Sequence, residues 1–325
     1  MRILVVGPTG EIGRRLVRRL LEAGHELTLH TRRADRLDLP PGASARVVEG
    51  AVTARDTVEA AAEGCEVVYH LAGWRRADFR VDAGEVEEMR RVVVTGARVV
   101  AESARAAGAR RLVYTSSHLA VGEPRLSAEG DYALARRLAE AEVFRVGAAG
   151  LGTERLEVLV LCPALVVGLE RGPFTRLVED LAAGRVPVYP EGTTLPLVAA
   201  EDVVEAHHRA LRGGVPGGKY LLMGGRMGWR QLADLVGLAT GWPVVLRPVG
   251  ARAARLAASF DAALLSRLRR RDPIAGPERL AALTHDPGED GHRAARELSF
   301  EYHDLAAAIG AQLEAMVRAR RIGGD

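Results

Sequence analysis

Short apolar runs alternate with longer amphipathic segments along the first half of the chain. The runs are rich in Val, Leu, Tyr and Thr and predict strands at residues 2–7, 26–31, 45–50, 66–72, 110–116 and 157–163. The segments between them, such as residues 13–24 and 94–108, carry apolar side chains at helical spacing. Alternation of this kind predicts a doubly wound parallel α/β sheet, because parallel neighbours need a crossover helix.

The pattern changes after about residue 168. Turns that contain glycine and proline become frequent, and helical segments follow with few strands between them. We therefore expect one domain over residues 1–168 and a smaller, mainly substrate-binding C-terminal domain over residues 169–325, with residues near 195–212 returning to the first. Lys219 is expected in a turn that leads into a strand of the C-terminal domain.

Composition narrows the possible partners. The chain has 325 residues and a formal net charge of +3, and Lys219 is the only lysine among 45 basic residues. The arginines alternate with acids, which is typical of solvated helix faces, so we expect neither nucleic acid nor a membrane as a partner. Cys65 and Cys162 lie in apolar segments without metal-ligand spacing. A cytoplasmic location without a metal site is the simplest interpretation.

A glycine-rich turn follows the first predicted strand. The stretch VVGPTGEIGRRL places Gly7, Gly10 and Gly13 at GxxGxxG spacing. The first glycine permits a tight turn, the second lets the backbone approach a pyrophosphate, and the third lets the helix pack on the strand. The strand, turn and helix together predict a dinucleotide site in a Rossmann fold.

Two arginines, Arg32 and Arg33, follow the second predicted strand. A carboxylate at this point would accept hydrogen bonds from the adenosine ribose of NAD, whereas arginine matches the 2′-phosphate of NADP in charge and geometry. The pair favours NADP over NAD as the cofactor.

Six motifs occur in a familiar order: GPTGEIG, GCEVVYHLAG, RRLVYTSS, YALARRLAE, CPALVVG and LPLVAAEDVVEAHHRAL. In these motifs the chain resembles the extended short-chain dehydrogenase/reductase family, in particular its dihydroflavonol reductase-like and epimerase/dehydratase-like members. With the turn and strand ends above, the resemblance implies a set of cofactor-binding residues. They are Gly7, Thr9, Gly10, Glu11, Ile12, Gly13, Arg32, Arg33, Val52, Leu71, Ala72, Gly73, Pro163 and Val166.

The resemblance also implies catalytic residues. Ser117 matches the hydroxyl residue after the fifth strand, and Tyr132 matches the tyrosine of the family's YxxxK motif. Arg136 stands where that motif has lysine. Residues four apart share one face of a helix, so a phenol can meet the substrate oxygen while the cation beside it meets the nicotinamide ribose. Ser117 would hold the carbonyl oxygen as charge develops on it.

Four features depart from the family pattern. Besides Arg136, the usual asparagine before the fifth strand is Val93, and the usual aspartate after the third strand is Ala51. The segment between Ser117 and Tyr132 is short, at fourteen residues. Arginine keeps a permanent cation that can hold ribose hydroxyls, so an active but retuned site stays plausible. Lys219 is not expected to replace the missing lysine.

The leading interpretation is an NADPH-dependent reductase of a ketone or aldehyde on a small or polycyclic metabolite. Tyr132 would donate the proton and Arg136 would hold the ribose. Two alternatives stay open: a nucleotide-sugar epimerase or dehydratase with retained NAD, and a catalytically weak NADP-binding sensor or scaffold. The resemblance also implies a homodimer through the helices that follow the fourth and fifth strands. Trp74, Arg75 and Arg76 lie either at the mouth of the site or in a solvated loop.

Overall fold

A parallel sheet organises the first two thirds of the chain. The computed structural model describes residues 1–74, 83–122, 130–149, 155–260 and 277–323. In chain order its strands are β1 (Arg2–Val6), β2 (Glu26–Thr31), β3 (Arg46–Glu49), β4 (Val67–His70), β5 (Arg111–Thr115), β6 (Glu157–Pro163), β7 (Leu165–Val167), β8 (Val188–Pro190), β9 (Thr194–Ala199), β10 (Lys219–Leu222), β11 (Gly225–Gly228) and β12 (Arg247–Val249). The main sheet has seven strands in the order β10-β6-β5-β4-β1-β2-β3, and all neighbours are parallel. The predicted doubly wound parallel sheet is confirmed.

The helices of the described residues cover both faces of the main sheet and also pack beside it in the C-terminal part of the chain. They are α1 (Glu11–Glu22), α2 (Arg55–Ala62), α3 (Ala83–Arg90), α4 (Gly96–Ala106), α5 (Asp131–Ala148), α6 (Pro173–Ala182), α7 (Ala200–Arg209), α8 (Trp229–Thr240), α9 (Ala251–Phe260), α10 (Pro277–Thr284), α11 (His292–Leu298) and α12 (Leu305–Arg318). Helices α2, α4 and α5 pack together, and α1, α7 and α11 form the second group. Within the residues described, no helix is both long and apolar enough to cross a membrane.

The strand register brings one end of four strands to a common level. Val6 pairs with His30 on one side and with His70 on the other, and His70 pairs with Tyr114. The residues that follow these strands therefore emerge side by side at the carboxyl edge. The strand order reverses between β1 and β4, and doubly wound folds bind ligands in the crevice at such a reversal.

The strand at Lys219 lies in the main sheet, which corrects the expectation that it belongs to the C-terminal domain. Strand β10 pairs in parallel with β6, from Lys219 beside Val160 to Leu222 beside Pro163. Tyr220 and Leu222 are almost fully buried. A strand this apolar needs cover on both faces, and the edge beside β6 provides it.

A second apolar cluster lies around the smaller sheets. Strands β11, β9 and β7 form a three-stranded sheet, and β12 pairs with β8. Phe174, Leu197, Trp229 and Leu313 are among the buried side chains of this cluster. It is separate from the cluster that packs on the main sheet.

Polar side chains join the C-terminal segment to the rest of the chain. Asp202 is fully buried within α7, and its Oδ1 accepts hydrogen bonds from the backbone N–H (3.1 Å) and the Nδ1 (2.5 Å) of His303. Gln312 on α12 donates to Leu169 O (3.1 Å) and accepts from Gly168 N (2.7 Å). The two sets of contacts hold the C-terminal segment against α7 and against the residues that follow β7.

Candidate functional site

The predicted cofactor and catalytic residues all lie at or beyond the carboxyl ends of the strands. Gly7, Thr9 and Gly10 form the turn after β1, and Glu11, Ile12 and Gly13 form the first turn of α1. The others follow β2, β3, β4 and β5, lie in the first half of α5, or lie in β6 and β7. They are Arg32, Arg33, Val52, Leu71, Ala72, Gly73, Ser117, Tyr132, Arg136, Pro163 and Val166.

The glycine turn packs closely at Gly7 and Gly13 and is open at Gly10. Gly7 has φ +91°, and a Cβ there would lie 2.7 Å from Ala72 N. A Cβ on Gly13 would overlap the carbonyl oxygen of Gly7. Gly10 begins helix α1 without a side-chain cap, and a Cβ there would meet only Gly7 O, at 3.6 Å. The first backbone N–H groups of the helix have no side-chain partner at the cap, as an anion-binding helix N-terminus requires.

Glu11 has its side chain turned to another loop. The carboxylate accepts hydrogen bonds from the backbone N–H groups of Glu170 (2.6 Å) and Arg171 (2.8 Å). These bonds join the glycine turn to the segment after β7. Only the backbone of Glu11 is left to contribute to phosphate binding.

Gly13→Ala tests the close packing of the glycine turn. We expect the variant to lose about 1–3 kcal/mol of unfolding free energy, because the added methyl group must displace backbone, and to bind NADPH more weakly. Gly310→Ala is the matched control, since its Cβ would meet nothing within 4 Å in helix α12. Chemical denaturation and NADPH fluorescence titration measure the two effects. Equal stability of the two variants would contradict the tight contact at Gly13.

The two arginines after β2 differ in their partners. Arg33 donates from Nε and Nη2 to both carboxylate oxygens of Asp35, at 2.8 and 2.7 Å. Arg32 is exposed and makes no hydrogen bond or ion pair within the described ranges. Arg32 is therefore the more available guanidinium for a phosphate on the adenosine ribose.

The apolar residues of the predicted site are buried or half-buried. Val52 is 8% exposed and packs against Gly96 of α4. Leu71, Ala72 and Val166 are half-buried, and the carbonyl oxygen of the buried Pro163 lies 3.3 Å from His118 Nδ1. Thr9 and Ile12 are half-buried as well. Trp74 packs against the main apolar cluster, whereas Arg75 and Arg76 lie outside the described residues.

Thr115 and Ser116 use their hydroxyl groups in buried hydrogen bonds. Thr115 Oγ1 lies 2.7 Å from His207 Nε2, and His207 Nδ1 lies 2.6 Å from Val203 O. Burial lowers the pKa of His207 to about 4. The neutral ring donates from Nδ1 to the carbonyl, so Nε2 accepts from Thr115. Ser116 Oγ donates to Glu140 Oε1 at 2.5 Å.

Ser117 is the hydroxyl residue at this strand end that keeps its proton available. It is half-buried and begins a short 3₁₀ turn at His118–Ala120. Its Oγ accepts from Leu119 N at 3.3 Å and donates to no residue in the described part of the chain. The free O–H can therefore bind a substrate oxygen.

Arg136 binds Tyr132 to the end of β5. Its Nε donates to Tyr132 Oη at 2.9 Å, and its Nη1 donates to Tyr114 Oη and Thr115 O, both at 3.2 Å. The guanidinium is buried, with Cζ 5.1 Å from the centroid of the Tyr132 ring. Burial disfavours the charge, but the two phenol oxygens outweigh burial and raise the pKa of Arg136 above its ordinary value. A permanent cation therefore lies beside the tyrosine hydroxyl.

Gly73 provides the space for this larger cation. A Cβ on Gly73 would lie 2.6 Å from Arg136 Nη2. Nη2 makes no hydrogen bond within the described residues, and its two N–H groups lie at the end of β4, beside the crevice. They are the donors left for a ribose hydroxyl.

The other departures from the family pattern alter the surroundings of the site. Val93 is 2% exposed in a π-type turn, Arg91–Thr95, between α3 and α4, so an apolar contact replaces a polar group there. Ala51 is half-buried after β3. Residues 123–129, which make up half of the short segment between Ser117 and Tyr132, lie outside the described residues.

Two residues that contact the site were not predicted from the sequence. Tyr114 accepts a hydrogen bond from Arg136, and burial raises the pKa of its phenol. No sequence signal distinguishes it from an ordinary core residue of β5. Glu140 binds Ser116 and follows Arg136 by four residues, as Arg136 follows Tyr132. That spacing places all three on one face of α5 and could have indicated Glu140.

The chain resembles known proteins at the level of sequence and of fold. It is 30% identical over 258 residues to the sterol demethylase protein B of Methylococcus capsulatus, which covers 75% of this chain and 76% of the relative. It is 27% identical over 254 residues to vestitone reductase of Medicago sativa, covering 67% and 75%. The UDP-glucose 4-epimerase of Thermotoga maritima superimposes with a TM-score of 0.72 at 19% identity, covering 98% of this chain and all of that one.

The region that matches a protein family includes the strands of the main sheet. Residues 3–222 match the NAD dependent epimerase/dehydratase family, from β1 to the end of β10. The matched region contains the glycine turn, Ser117, Tyr132 and Arg136. The chain therefore belongs to the NAD-dependent epimerase/dehydratase family, and it is an oxidoreductase that uses a nicotinamide cofactor.

Proposed function

We propose that the protein is an NADPH-dependent reductase of a ketone or aldehyde on a small or polycyclic metabolite. One observation carries the proposal: Arg136 donates to Tyr132 Oη while it also binds the end of β5 through Thr115 O. The loss of the family's lysine has therefore left the tyrosine hydroxyl with a cation beside it, and that cation is bound to the end of β5, the strand that Ser117 follows.

Each residue of the site has a distinct task in this reaction. The first turn of α1 would hold the pyrophosphate of the cofactor, and Arg32 would bind its 2′-phosphate. When bound, the cofactor would supply a hydride for the carbonyl carbon. Ser117 donates a hydrogen bond to the carbonyl oxygen, and Tyr132 donates the proton that completes the alcohol. Arg136 then stabilises the phenolate through Nε until the proton is replaced from solvent.

The names of the relatives support a polycyclic substrate. A sterol is a fused-ring compound, and the sterol demethylase protein matches this chain over three quarters of both sequences. Vestitone reductase is named for a reductase reaction. We also propose a cytoplasmic location, which the two buried, unpaired cysteines Cys65 and Cys162 support.

Arg32→Asp tests the preference for NADPH. We expect about a tenfold or greater loss of NADPH affinity, because an acid replaces the guanidinium that would bind the 2′-phosphate, and little change for NADH. Arg36→Asp is the matched control, since Arg36 is also exposed and its replacement changes the net charge equally. Fluorescence titration with both nucleotides measures the effect. Equal losses in the two variants would show that Arg32 has no specific role.

The reaction is tested with the purified protein. Any co-purified nucleotide is first identified by mass spectrometry, and NADPH oxidation is then followed with fused-ring ketones, monocyclic ketones and linear aldehydes. We expect turnover with a ring ketone and recovery of the corresponding alcohol. Retained NAD without NADPH oxidation would favour the epimerase alternative, and NADPH binding without turnover of any carbonyl would favour the sensor.

A further inference from the structure

The only lysine of the chain lies in a polar cluster behind the catalytic helix. Lys219 begins β10, and its Nζ donates to Glu140 Oε2 at 2.6 Å and to Ala120 O at 2.7 Å. The side chain of Glu140 is 7% exposed and that of Lys219 is 31% exposed. This ion pair therefore joins three elements: the edge strand β10, the helix α5, and the turn that follows β5.

Glu140 extends the cluster to the strand end. Its other oxygen, Oε1, accepts from Ser116 Oγ at 2.5 Å, and Cys162 Sγ lies 3.6 Å from the same oxygen. Ser116 directly precedes Ser117. The Glu140 carboxylate thus fixes Ser116, the residue before the Ser117 hydroxyl that would bind substrate.

Lys219 fixes the turn that follows Ser117 by a hydrogen bond to a backbone carbonyl. The carbonyl that it binds belongs to Ala120, the last residue of the 3₁₀ turn. Ser117 closes this turn, since its Oγ accepts from Leu119 N (3.3 Å) and its carbonyl oxygen accepts from Ala120 N (3.0 Å). A shift of Ala120 would therefore change the position of the Ser117 hydroxyl.

The same cluster fixes the helix that carries the tyrosine. Tyr132, Arg136 and Glu140 are spaced by four residues and lie on one face of α5. Arg136 ties that face to Thr115, the last residue of β5, and Glu140 ties it to Ser116, the residue after the strand, one turn further along the helix. Two successive residues at the end of β5 are thus bound to two successive turns of the helix.

We propose that Lys219 and Glu140 are positioning residues that set the Ser117 hydroxyl against Tyr132. The proposal rests on the reductase function proposed above, because it assigns a role in placing the two groups that meet the carbonyl oxygen. Neither residue contacts substrate or cofactor. They act through Ser116 and through the turn that ends at Ala120.

The cluster also explains why this position is lysine in a chain whose other basic residues are all arginine. The ammonium is compact, and its donors can turn toward a carboxylate and a carbonyl that lie in different directions. A guanidinium holds its donors in a rigid plane and needs more space beside α5. We infer that a compact cation is required at Lys219, whereas a planar one is accepted at Arg136.

Hydrogen exchange tests the positioning role without any enzyme assay. In Lys219→Met we expect amide exchange at Leu119 and Ala120 to accelerate at least tenfold relative to wild type. Arg111→Met is the matched control, because Arg111 is a buried arginine at the other end of β5 that binds Glu157 and the carbonyls of Ala210 and Gly213. That variant should leave exchange at Leu119 and Ala120 within twofold of wild type. Wild-type exchange at Leu119 and Ala120 in Lys219→Met would overturn the proposal.

Kinetics provide the second readout. We expect Lys219→Met to lower kcat about tenfold or more, as a displaced oxyanion donor would, while NADPH affinity stays within threefold. Arg111→Met should keep kcat within twofold at a temperature below its unfolding transition. Equal losses of kcat in the two variants would contradict a specific role of Lys219. If wild type reduces no carbonyl, the proposed function fails, and the exchange experiment still decides the positioning role.

Lys219→Arg tests the need for a compact cation. It keeps the charge, so we expect most of the thermal stability to be retained but the faster exchange at Leu119 and Ala120 to persist. Wild-type exchange and wild-type kcat in this variant would show that any cation suffices.

Discussion

Replacement of Tyr132 by phenylalanine is expected to lower kcat for carbonyl reduction by about 10²–10⁴-fold, the usual contribution of a positioned general acid. The ring is half-buried against the main apolar cluster, so its packing survives the loss of the hydroxyl. Arg136 keeps its bonds to Tyr114 and Thr115. NADPH affinity should therefore stay within threefold of wild type, as measured by fluorescence titration beside steady-state kinetics.

Tyr114→Phe is the informative companion of this variant. Both phenols accept a hydrogen bond from Arg136, but Tyr114 is 1% exposed and cannot meet a substrate. We expect Tyr114→Phe to lower kcat by less than about tenfold, since the variant loses one hydrogen bond donated by the Arg136 guanidinium and no proton donor. Similar kcat values for Tyr132→Phe and wild type would remove Tyr132 from the reaction.

Arg136→Lys is expected to lower both stability and turnover. An ammonium cannot donate at once to Tyr132, Tyr114 and Thr115 in the geometry of the guanidinium. The buried hydroxyl of Tyr114 would lose its donor, at a cost of about 1–3 kcal/mol of unfolding free energy. We also expect kcat to fall about tenfold, because the cation would no longer be held beside Tyr132 in the same geometry. A tenfold change corresponds to about 1.4 kcal/mol of lost transition-state stabilisation. Chemical denaturation and steady-state kinetics measure the two effects.

Comparison of Arg136→Met with Arg136→Lys separates the effect of the positive charge from the effect of the side-chain shape. Arg136→Met removes the cation that stabilises the phenolate, so its kcat should fall well below that of Arg136→Lys. A higher kcat in Arg136→Lys than in wild type would show the opposite of our expectation, namely that arginine impairs a site built for lysine. Equal kcat values in the Lys and Met variants would show that the charge at this position is dispensable.

The fold and the glycine turn were predictable because their signals are local. Strands β1 to β6 follow from runs of four to seven residues, and the glycine turn follows from a spacing of three residues between β1 and α1. Tyr132 and Arg136 share a helix face by their spacing alone. Strand β10 was assigned to the wrong sheet, since a short apolar run carries no information about its neighbours.

The sequence by itself determined the alternation of strand and helix, the glycine turn, and the presence of a tyrosine and an arginine on one helix face. The tertiary structure alone distinguished the three consecutive hydroxyl residues, because the partners of Thr115 and Ser116 lie 92 and 24 residues away. It also decided that Arg33 is paired while Arg32 is available, and that Lys219 binds Glu140 across 79 residues. Periodicity records which face of an element is buried, but the partner on that face is set by how distant elements pack.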